Sequence, residues 1–255
     1  MTKDVRSVTG LSRLKSMTPA RIGLTRAGSS LATREVLAFD LDHARARDAV
    51  HLPFNRKALE KELRSRSLSV IQVHSAAGER TIYLQRPDLG RLLEKAARDR
   101  LAEYRAGTDE VFDIAVIVAD GLSTRAIHEN AVAFLDAFLP RAVRNGWRHT
   151  PIIIASQARV SIADEIGDLL GARLSVILIG ERPGLSSADS LGIYVTFAPR
   201  KGRTDAEKNC LSNIRSAGLP PDQAARQLEK LIIGAFEQKI TGVALKHEVG
   251  KIISD

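Results

Sequence analysis

The chain has 255 residues, of which 44% are hydrophobic and 27% are charged, a composition typical of a folded globular protein rather than a disordered one. It has a single cysteine and no apolar stretch approaching about 20 residues. These features argue against a disulfide framework and a transmembrane helix and predict a cytoplasmic protein. Lys and Arg number 38 against 30 Asp and Glu, and the formal net charge of +8 predicts an anionic partner.

The first 18 residues are polar and basic, and we interpret residues 1–18 as a variable tail. Val5, Val8 and Leu11 recur at helical spacing. A short basic amphipathic helix is therefore the alternative interpretation of this segment.

The next segment, residues 19–66, carries helical patterns and no strand pattern. One helix is predicted over 33–50 and is stopped by Pro53. Asn55 then suits the N-cap of a second helix that ends near Ser65. The segment is predicted to form a small all-helical domain.

Strand and helix patterns alternate after residue 66. Strands are predicted over 68–74, 112–119, 151–156, 174–180 and 192–198. Helices are predicted over 89–104, 123–143, 161–171 and 222–238, with Ser161 and Asp164 forming a capping box in the third. Several of the strands are apolar on both faces, as in parallel sheets covered by helices on both sides. The fold class is therefore α/β, a doubly wound, mainly parallel, Rossmann-like sheet domain over 67–255 behind the helical one.

Three loops follow predicted strands and are candidates for a binding site, because open parallel sheets bind ligands beyond the carboxyl ends of their strands. They are residues 119–121, 157–161 and 180–184. The last loop holds Glu-Arg-Pro between two glycines, which allow close approach of the backbone to a ligand. Since Gly and Pro also punctuate ordinary loops, a purely structural role stays open.

Common enzymatic motifs are absent from the sequence. It has no G-x-G-x-x-G after a strand, no G-x-x-x-x-G-K-[ST] and no G-x-S-x-G, and its six histidines lack metal-ligand spacing. We therefore predict no metal site, and these motifs assign no catalytic residue.

Two other function classes stay open on the residues alone. Cys210, in KNCLSNIR after the last predicted strand, suits a small buried side chain or the nucleophile of a cysteine-dependent enzyme. The basic surface would suit an α/β nucleotide- or nucleic-acid-binding module, but the positive residues are dispersed and aromatic residues make up only 4%. We therefore rank nucleic acid low as a partner.

Several segments resemble one family in order and in spacing, from Arg21 to Leu245. They are RIGLTRAGSSLATREVLAFDLDHARARDAVHLPF, VHSAAGERTIYLQRPDLGR, VIVADGLS, DEIGDLLGAR, GERPGLSSADSLGIY and DAEKNCLSNIR. They resemble the small (light) chain of ethanolamine ammonia-lyase. GERPGLSSADS and NCLSNIR are the most specific of these segments.

The resemblance implies a subunit of an adenosylcobalamin-dependent lyase that converts ethanolamine into acetaldehyde and ammonia by a radical rearrangement. In this family a large chain, a TIM barrel, binds the substrate, and the small chain covers the corrinoid from the other side. The implied partner is therefore the large chain, in a hetero-oligomer that is active only when both chains are present. No membrane partner is implied.

The family's cobalamin contacts fall on Val160 in QARVSIADEIG, Glu181 in GERPG and Cys210 in NCLSNIR. A corrin is a broad, mostly apolar macrocycle fringed by amides, so a valine, a carboxylate and a small soft thiol are suitable contacts. The motif D-x-H-x-x-G is absent, since His74 is preceded by Gln72 and followed by Ala77 at the glycine position. We therefore expect the cofactor to keep its own dimethylbenzimidazole ligand, in agreement with the resemblance.

Two further expectations concern assembly. The polar stripe of the first helix, which includes Asp40, His43 and Arg47, is our candidate for a contact with the large chain, with a solvated helix face as the alternative. By likeness to relatives found in bacterial microcompartments, the basic tail is a hypothetical encapsulation or solubility signal.

Overall fold

The computed structural model describes residues 10–18 and 20–245. Helix α1 (Gly10–Met17) lies within the segment predicted as a tail and agrees with the alternative, helical interpretation there. The predictions made for Val5 and Val8 lie outside the described residues.

A short hairpin follows, formed by β1 (Arg26–Ala27) and β2 (Ser30–Leu31). Gly28 occupies the first position of its two-residue loop with φ +62°, a conformation that glycine adopts readily. The prediction that residues 19–66 are all-helical is therefore wrong at this hairpin. Two strands of two residues are too short to give a periodic pattern.

Two helices complete this part of the chain, α2 (Thr33–His51) and α3 (Arg56–Arg64), and both confirm predicted helices. The Asn55 side chain accepts a hydrogen bond from the backbone N–H of Ala58 at 3.1 Å, as expected of an N-cap. Leu59 and Leu63 are buried in the same core as the main sheet. The proposed division of the chain at residue 66 stays a prediction.

The remaining elements alternate as predicted. In chain order they are β3 (Val70–His74), α4 (Arg80–Gln85), α5 (Lys95–Ala106), β4 (Ile114–Ala119), α6 (Thr124–Arg144), β5 (Ile152–Ser156), α7 (Ile162–Leu169), β6 (Leu174–Gly180), β7 (Leu191–Phe197), β8 (Asn209–Ile214) and α8 (Pro221–Gln238). All five predicted strands are confirmed. Helix α4 and strand β8 are additional to the prediction.

The main sheet has the strand order β3-β5-β4-β6-β7-β8. The first four strands are parallel, and β7 is antiparallel to both of its neighbours, so β7 alone runs in the opposite direction. This arrangement confirms a mixed α/β fold with a mainly parallel sheet. The Rossmann-like description stays a prediction.

Helices cover both faces of the sheet. One core joins α3, α6 and α8 to the even-numbered side chains of β4, such as Val116. The other joins α5 and α7 to the odd-numbered side chains, such as Ile117. Every residue of β4, β5 and β6 is buried, which explains why these strands are apolar on both faces.

The structure corrects two details of the predicted helices. Helix α5 begins at Lys95 rather than near residue 89, because Leu93 pairs in an isolated bridge with Ser75. Ser161 occupies the N-cap position of α7 but makes no side-chain cap hydrogen bond, so the predicted capping box is wrong. Asp164 is instead buried in an ion pair with Lys208.

Candidate functional site

The candidate site lies where the chain reverses its direction of travel across the sheet. From β4 the chain passes through α6 to β5 on one side, whereas from β6 it passes to β7 on the other. The carboxyl ends of the neighbouring strands β4 and β6 therefore form a topological switch point, the usual ligand-binding crevice of an open α/β sheet. Two of the three predicted loops, 119–121 and 180–184, meet there.

Two glycines allow these loops to approach closely. A Cβ atom on Gly121, which has φ +58°, would lie 2.2 Å from the carbonyl oxygen of Gly180. A Cβ atom on Gly180 would lie 2.0 Å from the carbonyl oxygen of Ser123. The Gly180 carbonyl also accepts the backbone N–H of Leu122 at 2.9 Å. Only residues without a Cβ atom fit this junction.

An open cavity of about 420 Å³ lies at this junction, and we call it the switch-point cavity. Its lining residues are Tyr83, Gly121, Leu122, Arg159, Val160, Ile179, Gly180, Glu181, Arg182 and Tyr194. The wall thus combines apolar side chains and aromatic rings with two arginines and one carboxylate. The loop 157–161 contributes to it, so all three predicted loops border this cavity.

Tyr83 is a fully buried side chain that lines the cavity. Its hydroxyl donates to the carbonyl oxygen of Ala158 at 3.2 Å, and its burial raises the pKa of the phenol. The guanidinium carbons of Arg80 and Arg159 lie 4.8 and 4.3 Å from the ring centroid. These cation–π contacts hold two positive charges beside the cavity.

Arg159 carries a donor without an acceptor. Its Nε atom is buried and has no hydrogen-bond partner within the part of the chain that the structure describes. Its side chain is otherwise held by the Tyr83 ring and by a 3.4 Å hydrogen bond to the Tyr83 carbonyl oxygen. An unpaired buried donor beside a cavity favours a ligand that brings an acceptor oxygen.

Asp120 joins the loops after β4 and β5. Its buried carboxylate accepts the backbone N–H groups of Gly121, Gln157 and Ala158 at 2.9–3.1 Å. Burial raises the pKa of Asp120, while these N–H donors and Arg80, 3.6 Å away, favour the charged form. Gln157 is held with φ +52°, which is strained for a residue other than glycine.

Arg80 links three segments through its guanidinium group. Nε donates to the carbonyl oxygen of Val50 at the end of α2, at 2.8 Å. Nη1 donates to the Gly121 carbonyl at 2.8 Å, and Nη2 donates to the Leu122 carbonyl at 3.3 Å. This side chain therefore fixes the end of α2 to the loop that lines the cavity.

Glu181 lies at the end of β6 and extends across β7 to β8. Its carboxylate accepts the hydroxyls of Ser190 and Ser212, the latter at 2.6 Å, and the backbone N–H of Asn213 at 3.2 Å. A Cβ atom on Gly192 would lie 3.0 Å from Glu181 Cγ, so the glycine leaves room for this crossing. Most of the acceptor capacity of Glu181 is thus used within the chain.

Cys210 is exposed and lies in β8, so its predicted place after the last strand is wrong. It pairs with Tyr194 across the β7–β8 ladder, on the same face of the sheet. Burial, followed by the neighbouring Cys210, raises the pKa of Tyr194. The structure therefore brings Val160 and Glu181 into one cavity and places Cys210 beside Tyr194, at its border.

The sequence did not single out Arg80, Tyr83 or Arg159. Arg159 lies inside a predicted loop, but Arg80 and Tyr83 belong to a six-residue helix that is too short for a periodic signal. Among the described residues, no group of three or more His, Cys, Asp or Glu side chains could hold a metal ion. In residues 10–18 and 20–245, no helix is long and apolar enough to cross a membrane.

Comparison with known proteins identifies the family. Residues 9–246 match the model of the family described as ethanolamine ammonia-lyase light chain (EutC). The chain is 52% identical over 235 residues to the ethanolamine ammonia-lyase small subunit of Pseudomonas aeruginosa (strain LESB58), covering 92% of this chain and 86% of that protein.

Two other small subunits of ethanolamine ammonia-lyase are similarly related. The Azotobacter vinelandii protein is 52% identical over 236 residues, covering 92% of this chain and 87% of its own length. The protein from Xanthomonas campestris pv. campestris (strain ATCC 33913) is 50% identical over 239 residues, covering 94% and 88%. The chain therefore belongs to the family of ethanolamine ammonia-lyase light chains, the small subunits of a lyase.

Proposed function

We propose that this chain is the cobalamin-binding small subunit of an adenosylcobalamin-dependent ethanolamine ammonia-lyase. With a large subunit it would convert ethanolamine into acetaldehyde and ammonia, the reaction of a carbon–nitrogen lyase. The observation that carries the proposal is family membership over residues 9–246. The position of Val160 and Glu181 in one switch-point cavity adds independent structural support.

The cavity suits one face of a corrinoid. Val160, Ile179 and Tyr194 offer apolar surface to a macrocycle, and the unpaired Nε of Arg159 can donate to a peripheral amide carbonyl. The chain would cover one side of the corrin, and the large subunit would cover the other.

The chain's own residues bind and orient rather than react. Val160 packs against the corrinoid, Cys210 packs at the border of the cavity, and Glu181 holds the ends of β6 and β8 in place while one lone pair stays available to the cofactor. We assign no catalytic and no metal-binding residue here. When bound, adenosylcobalamin would supply the radical chemistry, and the absence of D-x-H-x-x-G means that this chain would offer no histidine from that motif to the cofactor.

Helix α2 is the surface that we assign to the large subunit. Along its 19 residues only Ala49 is buried, and Val36, Leu37, Phe39 and Leu41 are 42–62% exposed. Such a group of exposed apolar side chains within two turns of a helix is typical of an interaction surface. The predicted polar stripe of Asp40, His43 and Arg47 is exposed on the same helix.

We propose a cytoplasmic location, and we propose residues 1–18 as a signal that directs the chain into a microcompartment. A reporter fused to residues 1–20 and expressed in compartment-forming cells tests the second point. Punctate fluorescence supports encapsulation, whereas diffuse fluorescence contradicts it.

The proposed function is tested by co-expressing the full chain with the large subunit of a relative. We expect the chains to copurify and to produce acetaldehyde from ethanolamine only when adenosylcobalamin is added, with neither chain active alone. The V160W variant should weaken cobalamin binding by filling the cavity. The V143W variant, on a side chain 70% exposed on α6, serves as its control. Activity of the small chain alone, or a mixture inactive with cofactor, would contradict the proposal.

A further inference from the structure

A second cavity lies beside the switch-point cavity, on the other side of the loop after β4. It encloses about 290 Å³ at the carboxyl ends of β3, β4 and β5, and we call it the basic cleft. Its lining residues are His51, Leu52, Pro53, Phe54, Arg56, His74, Arg80, Asp120, Thr124, Ser156 and Gln157. None of these is among the residues predicted to contact cobalamin.

The lining of this cleft is predominantly basic. Four basic side chains line it, those of His51, Arg56, His74 and Arg80. Among the described residues that line the cleft, only Asp120 is acidic. The Asp120 charge is already compensated by three backbone N–H groups and by Arg80. Arg56 is exposed and forms no ion pair with any described residue. The cleft therefore favours an anion.

The N-terminus of a long helix opens into the same cleft. Thr124 is the first residue of the 21-residue helix α6 and lines the cavity wall. The first turn of an α-helix presents backbone N–H groups without intrahelical acceptors and carries the positive end of the helix dipole. In α6 the N–H of Ala126 is capped by Ser123 Oγ at 3.2 Å, and the N–H groups that precede it remain for a ligand. Both properties favour an anionic ligand with several acceptor oxygens.

Ser156 supplies the independent indication of a ligand. Its side chain is at the end of β5, only 4% of the residue is exposed, and it lines the cleft. The Oγ atom has no hydrogen-bond partner in the described part of the chain. A buried hydroxyl without a partner is costly, and a ligand oxygen in the cleft would satisfy it.

We propose that the basic cleft binds a phosphate group. A tetrahedral oxyanion matches the combination of the uncompensated Arg56 guanidinium, a helix N-terminus and an unpaired hydroxyl. Two sources share this chemistry: free inorganic phosphate, and the phosphodiester in the nucleotide tail of a cobalamin whose corrin occupies the adjoining cavity. The second source rests on the proposed function, whereas the first does not.

The first experiment measures binding of inorganic phosphate to the full chain by calorimetry in a phosphate-free buffer. We expect saturable binding of one phosphate per chain. The S156A and R56Q variants should each weaken it by about tenfold, the effect of losing one hydrogen bond or charge contact to a charged group. Because the Ser156 hydroxyl is unpaired, S156A should leave thermal stability without phosphate unchanged or slightly raised.

Matched controls exist for both variants. Ser175 in β6 also has a buried hydroxyl without a partner in the described chain, but it does not line the cleft, so S175A should leave the phosphate affinity unchanged. Arg144, at the end of α6, is remote from the helix N-terminus, so R144Q controls for charge. Absence of phosphate binding to the wild-type chain, or equal weakening by S156A and S175A, would overturn the proposal.

The second experiment separates the two sources in the complex with the large subunit. If the cleft holds the nucleotide tail, S156A and R56Q weaken the binding of cobalamin but not of cobinamide, which lacks the nucleotide, and phosphate competes with cobalamin. If the cleft holds free phosphate, the variants affect neither corrinoid and phosphate does not compete. Phosphate binding without any corrinoid binding would contradict the proposed function while supporting the cleft.

Discussion

Gly121 and Gly180 meet at the carboxyl ends of β4 and β6, where a Cβ atom on the first would lie 2.2 Å from the carbonyl oxygen of the second. This contact brings two loops from neighbouring strands together and thereby shapes the switch-point cavity. It also explains why a glycine stands at the end of each strand, Gly121 in the Asp-Gly after β4 and Gly180 in the Gly-Glu at the end of β6.

The G121A variant should lower the free energy of unfolding by about 2–5 kcal/mol. About 1–2 kcal/mol comes from a non-glycine residue at positive φ, and about 1–3 kcal/mol comes from overpacking. Gly146 has φ +71° with no atom within 4 Å of a Cβ position, so G146A should lose only the first contribution. Urea denaturation measures the free energy of unfolding of both variants and of the wild type. Equal losses would show that the contact with Gly180 does not constrain the fold.

The hydrogen bonds to Glu181 should influence cobalamin affinity from outside the cavity. Ser190 and Ser212 donate to its carboxylate and do not line the cavity. Since each hydrogen bond to a charged group contributes about 1.5–3 kcal/mol, the S190A/S212A double variant should lose stability and bind cobalamin more weakly in the complex. The control is S186A, because Ser186 is exposed and lies in the same β6–β7 loop as Ser190. Unchanged affinity would show that Glu181 needs no support from these serines.

Cys210 should react with iodoacetamide in the folded chain because the residue is exposed. It is the single cysteine, so mass spectrometry should show one added group and none in C210S. The large subunit and cobalamin together should slow the reaction if β8 borders the cofactor. A reaction rate unaffected by both would remove Cys210 from the proposed cobalamin contacts.

Acidification should weaken the contact between α6 and the loop that precedes α3. Although His128 is exposed overall, its ring stacks on Phe54 at 5.9 Å, and this desolvation lowers its pKa from 6.5. Its Nε2 atom accepts the backbone N–H of Asn55 at 3.2 Å, which requires the neutral ring. The unfolded chain therefore takes up the proton at a higher pH than the folded chain.

The contribution of His128 to stability is thus complete above pH 6.5 and is lost as pH falls through the lower folded pKa. Thermal unfolding between pH 7.5 and 5 should show this loss in the wild type. The H128Q variant, which keeps an acceptor that does not titrate, should show a smaller decrease. A His128 titration above pH 6.5 by NMR would contradict the assignment.

The central strands and most helices follow directly from the sequence because burial determines them. Strands β4, β5 and β6 are wholly buried and therefore almost wholly apolar. By contrast, β8 carries Asn209, Cys210, Ser212 and Asn213, and it is held by pairing with β7 rather than by an apolar pattern. A polar edge strand resembles a loop in sequence.

The candidate site was predictable in its loops but not in its side-chain network. Strand ends can be located from apolar runs, so Val160 and Glu181 were within reach of the sequence. The place of Arg80 depends on the packing of α2 and α4 against the sheet, which is a tertiary property. For the same reason the use of Glu181 as an acceptor for β8 could not be inferred from GERPG alone.

Arg80 also has a mechanical consequence. Because one guanidinium group bonds the last turn of α2 and the backbone of Gly121 and Leu122, neither segment can shift without breaking hydrogen bonds at the other. A displacement of α2 is therefore expected to reach the backbone at the end of β4 through the Arg80 side chain. A protein that binds α2 would in this way influence the loop that lines the cavity.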